Sequence, residues 1–233
     1  NSMTEEINYG IKIAGASVAT LTKNSIVSSG LEQADTDEAA NSAIYLSGNA
    51  AHVIGTSGTI GDANTLQGFA SGIYITDAVV ATGLDIKYKL ISHNTNAIHN
   101  ADDAIVDVEK NWWGSDDEPT VNAHTLVNYG QWCTTNTCGA FNYDIILDPA
   151  DGSDNKYYGD TQFDRALSES TGADTYTFFN DKTYASKDIN KAVTFTGNNN
   201  ATFSIALTIS QAATLDDVNI NADTDITAGA TIK

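Results

Sequence analysis

Four short segments of the chain share one rhythm: GIKI at 10–13, AIYL at 43–46, GIYI at 72–75 and AIHN at 97–100. Each opens on a small residue followed by isoleucine, and three of them carry a second aliphatic two positions on. A period of two belongs to a strand with one face buried and the other turned outward. The pattern predicts Ile11, Ile44, Ile73 and Ile98 inward, with Lys12, Tyr45, Tyr74 and His99 as an outward row. A second set lies between the first: LTKNSI at 21–26, IGDANTL at 60–66, IKYKLI at 86–91 and VEKNWW at 108–113. Asn24, Asn64 and Asn111 each stand two residues before a large apolar side chain, and Lys89 takes that place in the remaining segment.

Short strands, a small residue at one corner and a recurring asparagine at another describe the coils of a parallel β-solenoid. Stacked asparagines at a bend can bond to each other and to the backbone along the stack. An antiparallel sandwich would also alternate, but it gives no reason for matched positions recurring at spacings of 33 residues (11 to 44) down to 25 (73 to 98). Further on, DPADGSDNKYYGD at 148–160 reads as an acidic loop or linker. TQFDRALSEST at 161–171 reads as a short amphipathic helix with Phe163, Ala166 and Leu167 on one face and Thr161 or Asp160 as its cap. Strand alternation then resumes through TYTFF, VTFTG, FSIALTIS and ATLDDVNIN. The fold class expected is all-β, a parallel β-helix with one short capping helix near 161–171.

With those motifs in view, the chain resembles the right-handed parallel β-helix, or pectin-lyase-like, superfamily, particularly its bacterial and archaeal surface proteins. Last coils there carry an N-x-W-G segment, a proline and a V-x-Y-x-x-W tail, matched here by Asn111, Trp113, Gly114, Pro119, Val127, Tyr129 and Trp132. First coils there follow a capping helix with a G-T-Y-like turn and an I-x-K-x-V-T-x-x-G segment. Thr183, Tyr184, Ile189, Lys191, Val193, Thr194 and Gly197 match, while Asp181 replaces the usual glycine. The resemblance implies that Asn111, Trp112, Trp113 and Gly114 form a terminal plug, with Trp112 facing away from Trp113. A sugar-stacking platform is the alternative for these rings. The resemblance also implies a helix that shields the first sheet edge from strange strands.

The chain thus divides into 1–147, the end of one β-helix; 148–160, a linker; and 161–233, the start of another. The chain opens on Asn1 and is read as a processed product or an excerpt. Joining Ile232 and Lys233 to Asn1 and Met3 regenerates the K-N-S-apolar phrase of 23–26, so these residues are read as a seam of one repeating period. The period is either a covalent tandem repeat or a subunit that stacks head to tail into an open filament. The partner expected is therefore another copy.

Charge narrows the function. Thirty acids against 11 basic residues give a net charge of −19, which repels nucleic acid and anionic membrane. No apolar run approaches the ~20 residues of a spanning helix. Cys133 and Cys138 can close a small disulfide loop in an oxidising, extracellular compartment; two free thiols or half a metal site are the other readings. Asp148, Asp151 and Asp154 around a glycine suggest calcium, against an unliganded acidic linker, and Asp116, Asp117 and Glu118 make a weaker second set. For catalysis, a lone Arg165 supplies a lyase poorly. A hydrolase needs two carboxylates across a groove, for which Asp102, Asp103 and Asp107 are available. His52, His93, His99 and His124 show no triad or zinc spacing. The outward row Lys12, Tyr45, Tyr74 and His99 is the candidate for binding surface polysaccharide. The reading reached is a non-enzymatic structural or adhesive surface protein, with a carbohydrate-binding or carbohydrate-cleaving β-helix as the alternative.

Overall fold

The computed structural model describes residues 9–15, 18–28, 41–48, 52–54, 63–76, 84, 86–101, 104–116, 119, 127–179, 182–184, 187–197, 201–203, 207–209, 211–220, 224–226 and 231–232. The chain is all-β in character with one short helix, and it forms two compact units, 1–142 and 143–233.

The first unit opens with β1 (Ile11–Ile13), β2 (Thr20–Leu21) and β3 (Ser25–Val27). The chain then runs through β4 (Ser42–Leu46), β5 (Val53–Ile54), β6 (Thr65–Gln67), β7 (Ser71–Ile75), β8 (Leu90–Ser92) and β9 (Asn96–Asn100). These strands fall into three parallel sheets, ordered β1-β4-β7-β9, β2-β5 and β3-β6-β8. The chain visits the sheets in turn and returns, so each pass lays a strand beside its predecessor. The registers are those of the repeat: Ile11↔Ile44↔Ile73↔Ile98 and Lys12↔Tyr45↔Tyr74↔His99 in one sheet, Ile26↔Leu66↔Ile91 in another. Ile44, Ile73 and Ile98 are fully buried with Leu46, Ile54, Leu66 and Ile75 in an aliphatic core. Where the residue before the isoleucine is glycine, the cause is steric. A Cβ on Gly72 would stand 2.6 Å from the Ala97 carbonyl oxygen of the next strand, closer than any real contact.

The unit continues through β10 (Val106–Asp107) and β11 (Val127–Asn128), paired in parallel, to β12 (Trp132–Cys133) and β13 (Phe141–Asn142), which pair antiparallel. Isolated parallel bridges join Leu90 to Trp112 and Asn111 to Trp132, so the parallel ladder runs up to β12 and a reversed strand follows it.

The second unit begins with β14 (Ile145–Asp148) and β15 (Lys156–Tyr158), then a 3-10 turn at Asp160–Gln162 and helix α1 (Phe163–Glu169). Next come β16 (Thr175–Phe178), β17 (Lys182–Tyr184), β18 (Lys187–Ile189), β19 (Thr194–Thr196), β20 (Ala201–Phe203) and β21 (Leu207–Ile209). The last strands are β22 (Thr214–Asp216), β23 (Asn219–Ile220), β24 (Thr224–Ile226) and β25 (Thr231–Ile232). The chain again visits parallel sheets in turn: β16-β19-β22-β25, β17-β20-β23 and β18-β21-β24. β14 lies antiparallel between β15 and β16, so residues 145–147 pair within the second unit and part of the expected 148–160 linker is strand. The alternation in Ile145-Ile146-Leu147 gave no sign of which sheet it joins.

Helix α1 is shorter than the 161–171 expected, with Gln162 at its N-cap position. Seven residues form no stable helix alone, so packing must hold them. Phe163 and Ala166 are buried and Leu167 packs beside them, as the spacing predicts. The core beneath is aromatic: Phe163 lies 5.0–6.2 Å, centroid to centroid, from Tyr184, Phe178, Phe195 and Tyr176. No helix among the described residues is long and apolar enough to cross a membrane.

Candidate functional site

The outward row is a stack. The Tyr45 and Tyr74 rings lie 5.5 Å apart at 2°, Tyr74 and His99 4.4 Å apart at 13°, and Tyr9 tilts onto Tyr45 at 4.8 Å. Lys12 Nζ sits 5.0 Å from the Tyr45 centroid and 5.2 Å from that of Tyr9, a cation–π cap on the row. Parallel strands in register, one ring per strand, produce this geometry. Each ring therefore turns its face toward its neighbour along the stack. A sugar seeking a ring face finds it occupied, so this row meets a ligand with ring edges.

The asparagines form the expected ladder. Asn64 Oδ1 accepts from the Asn24 backbone N–H at 3.0 Å and from Asn24 Nδ2 at 2.9 Å, while its own Nδ2 donates to the Leu21 carbonyl at 2.8 Å. Asn111 Oδ1 accepts from the Lys89 N–H at 2.7 Å, and its Nδ2 donates to the carbonyls of Ile86 and Val108 at 2.7 and 2.5 Å. Both asparagines are fully buried, so these bonds satisfy backbone groups at the bend that no strand pairing reaches. Lys89, at the same rung, is fully buried too and donates to the Lys87 carbonyl. Asn94, which the repeat did not mark, accepts from Phe69 N–H at 3.0 Å and donates to the Leu66 carbonyl at 2.9 Å.

The expected plug divides its labour. Trp113 packs on the aliphatic core only in part, and Trp112 is half-buried and bridged to Leu90. The ring that is 1% exposed is Trp132, packed edge-on against Tyr129 with its Nε1 donating to the Asp116 carbonyl at 2.9 Å. Gly114 adopts φ +104° and lies against Ser92, where a Cβ would come within 3.0 Å of the Ser92 side chain. The hairpin that follows is stapled by the Cys133–Cys138 disulfide, with Cα atoms 4.7 Å apart.

Asp148 ends β14, and the Asp151 carboxyl is held below the usual range by the Ser153 side chain and then by the Ser153 N–H, which donates to it at 2.9 Å. Asp154 is exposed, and among the described residues no group of three or more His, Cys, Asp or Glu side chains is placed to hold a metal. The three acids do not form one oxygen set. Asp117, Glu118, Asp102, Asp103 and His124 lie outside the described residues, as do the seam residues Asn1, Met3 and Lys233. Ile232, the last seam residue, lies in β25 opposite Leu215.

Three charged groups that periodicity did not mark meet on the outer side of the first unit. Lys87 Nζ stands 2.7 Å from Asp107 Oδ2 and 3.6 Å from Glu109 Oε2. Burial, then the Asp107 charge, pushes the Glu109 carboxyl up despite Lys87. Burial disfavours the Lys87 ammonium, yet the bonds and charges of Asp107 and Glu109 outweigh it and raise its pKa. The short contact identifies Asp107 as the principal partner. His52, fully buried, accepts from the Ala19 N–H at 3.2 Å through Nδ1, and burial lowers its pKa.

In the second unit, Glu169 joins Arg165 (2.8 Å), Tyr158 (2.9 Å) and Lys156 (3.1 Å); against the opposing effect of burial, these bonds hold its pKa down. Lys191, picked out by the resemblance, donates to the carbonyls of Leu167 and Ser168 at 2.9 Å each and to that of Ser170, closing the C-terminal end of α1. Asp174 is buried and accepts from Ala150 N–H (2.9 Å), Ser170 Oγ (2.7 Å) and Thr171 N–H (2.8 Å). Those bonds override its burial and depress its pKa. The Tyr176 hydroxyl donates to the Ala166 carbonyl at 3.0 Å, and burial pushes it up to about 12.

No protein-family model, curated protein or solved structure matches this chain.

Proposed function

We propose that the chain is a structural or adhesive building block of an extracellular surface protein, a right-handed parallel β-helix of the pectin-lyase-like type whose units join end to end. The observation that supports this reading best is the pattern of ladder ends. The first unit's parallel sheets begin on β1, β2 and β3, whose apolar residues Ile11, Ile13, Leu21 and Ile26 are only half-buried. The second unit's parallel sheets finish on β25, β23 and β24. Each set is parallel and offers its neighbour backbone bonds, and the first offers apolar rungs as well, the chemistry of strand addition. The partner is another copy, either as the next repeat of one chain or as the next subunit. The disulfide and the strongly acidic surface suit an extracellular setting.

Catalysis is not part of this reading; of the carboxylates a hydrolase could use, Asp107 is engaged by Lys87 at 2.7 Å. Adhesion to polysaccharide through the edges of Tyr45, Tyr74 and His99 is a second role supported by the stacked row. Calcium enters as a variable to be added or chelated in the assembly assay.

The test is the denatured, reduced mass of native material together with electron microscopy. Filaments built from a 24.6 kDa species mean stacked subunits, and a mass many times larger means tandem repeats. A 24.6 kDa species that stays monomeric at every concentration, with or without calcium, sinks the end-to-end reading.

A further inference from the structure

We propose that Lys87 and Asp107 condense into an intramolecular isopeptide bond, with Glu109 carrying the proton, so that the segment before β8 is joined covalently to β10. The inference stands on the first unit alone and is independent of how units assemble. Lys87 Nζ lies 2.7 Å from Oδ2 of Asp107, the carboxyl whose Cγ it must attack. The carboxyl is carried on β10, where Asp107 is registered against Asn128 of β11, so the pair is positioned by the sheet. Glu109 adjoins both members: its Oε2 is 3.6 Å from Nζ and its backbone N–H donates to Asp107 Oδ1 at 3.3 Å, while its Oε1 accepts from Asn128 Nδ2 at 3.5 Å.

A simple ion pair needs one carboxylate. Here a second, with its side chain 17% exposed against 44% for Asp107, is pushed up toward its protonated form by burial and then by the Asp107 charge. An acid in that state is suited to hold and pass a proton. The step balances without an oxidant or a further reactant. Glu109 relays a proton from the Lys87 ammonium to a carboxylate oxygen of Asp107. The free amine attacks Cγ and the N–C bond forms; Glu109 then carries a second proton from that nitrogen to the same oxygen, which leaves as water as the C–O bond breaks. An ammonium and a carboxylate become one amide and one water, and Glu109 ends as it began.

The experiment is the intact mass of the full 233-residue chain, denatured with both cysteines reduced and alkylated, followed by peptide mapping. The expected result is a mass short by one water, with a branched peptide linking Lys87 to Asp107 that trypsin leaves uncut at Lys87. Glu109→Gln and Lys87→Arg should each restore the full sequence mass. Circular dichroism matching the parent chain shows that they fold, and if Glu109→Gln fails to fold, Lys87→Arg carries the comparison. A parent chain of unmodified mass overturns the proposal. So does a loss of one ammonia mapped to Asn128, or a lost water that maps to any other residue.

Discussion

The two units solve the same problem with different materials. Both stack parallel strands in three sheets visited in turn. The first fills its interior with Ile, Leu and Val and satisfies its bends with buried asparagines whose bonds run from pass to pass. The second fills its interior with Phe163, Tyr176, Phe178, Tyr184 and Phe195 and satisfies the end of its helix with Lys191 and the adjoining turn with Asp174. Repetition makes the difference. A rung that recurs can be met by the same side chain each time, whereas a helix occurs once and needs partners assembled from distant positions.

Three substitutions test whether the units are separately supported. All three tryptophans lie at or before residue 132, so tryptophan fluorescence reads the first unit and far-ultraviolet circular dichroism reads both. The largest effect should come from Phe163→Ala, a loss of about 4 kcal/mol from the aromatic cluster. Urea unfolding should show an early dichroism transition with the fluorescence midpoint unmoved; a coincident shift would show that the units unfold as one.

Asn111→Ala should reverse the pattern. It strands the Lys89 N–H and two carbonyls in a buried bend, a loss of about 3 kcal/mol that fluorescence reports first. Lys191→Met should be milder, about 2 kcal/mol, because the helix-end carbonyls that lose the ammonium lie near solvent. Its readout is the amide exchange of 163–169, which should quicken while that of 42–46 stays slow.

Acid should separate the units last and most gently. The Asp174 pKa is depressed on folding, so its contribution is complete above the ordinary carboxylate value, about 3.9, and is lost as pH falls through the lower folded value. Glu109 is raised, so its contribution is complete below its ordinary value, about 4.3, and is lost as pH rises through the folded one. Below about pH 4 the second unit should therefore weaken while the first does not. Asp174→Asn should flatten that response; an unchanged acid profile in this variant would remove Asp174 from the account.

What could be read from sequence was what repeats. The alignment of GIKI, AIYL, GIYI and AIHN gives the strand register residue for residue, because burying one isoleucine per pass fixes every other position. The Asn24–Asn64–Asn111 rungs were legible for the same reason, and Lys89 stood out as the exception. Features that occur once escaped. Trp132 rather than the adjacent Trp112 and Trp113 is the deeply buried ring, and nothing in the spacing ranks the three. Ile145–Asp148 alternates like any strand, yet its partners are antiparallel. The Lys87–Asp107–Glu109 contact joins outward side chains, where composition is acidic throughout and carries no period.

The rungs that run along the first unit's stack also have a mechanical meaning. Tension applied along the stack direction pulls neighbouring strands straight apart and loads their backbone bonds end-on, one after another. Asn64 and Asn111 tie side chain to backbone across the same gaps, and the Tyr45–Tyr74–His99 column adds dispersion contact parallel to the load. Each pass is thus held to the next at several points of its circumference rather than along one edge. A ladder fastened in this way shares force among its fasteners, and peeling it requires several of them to fail together.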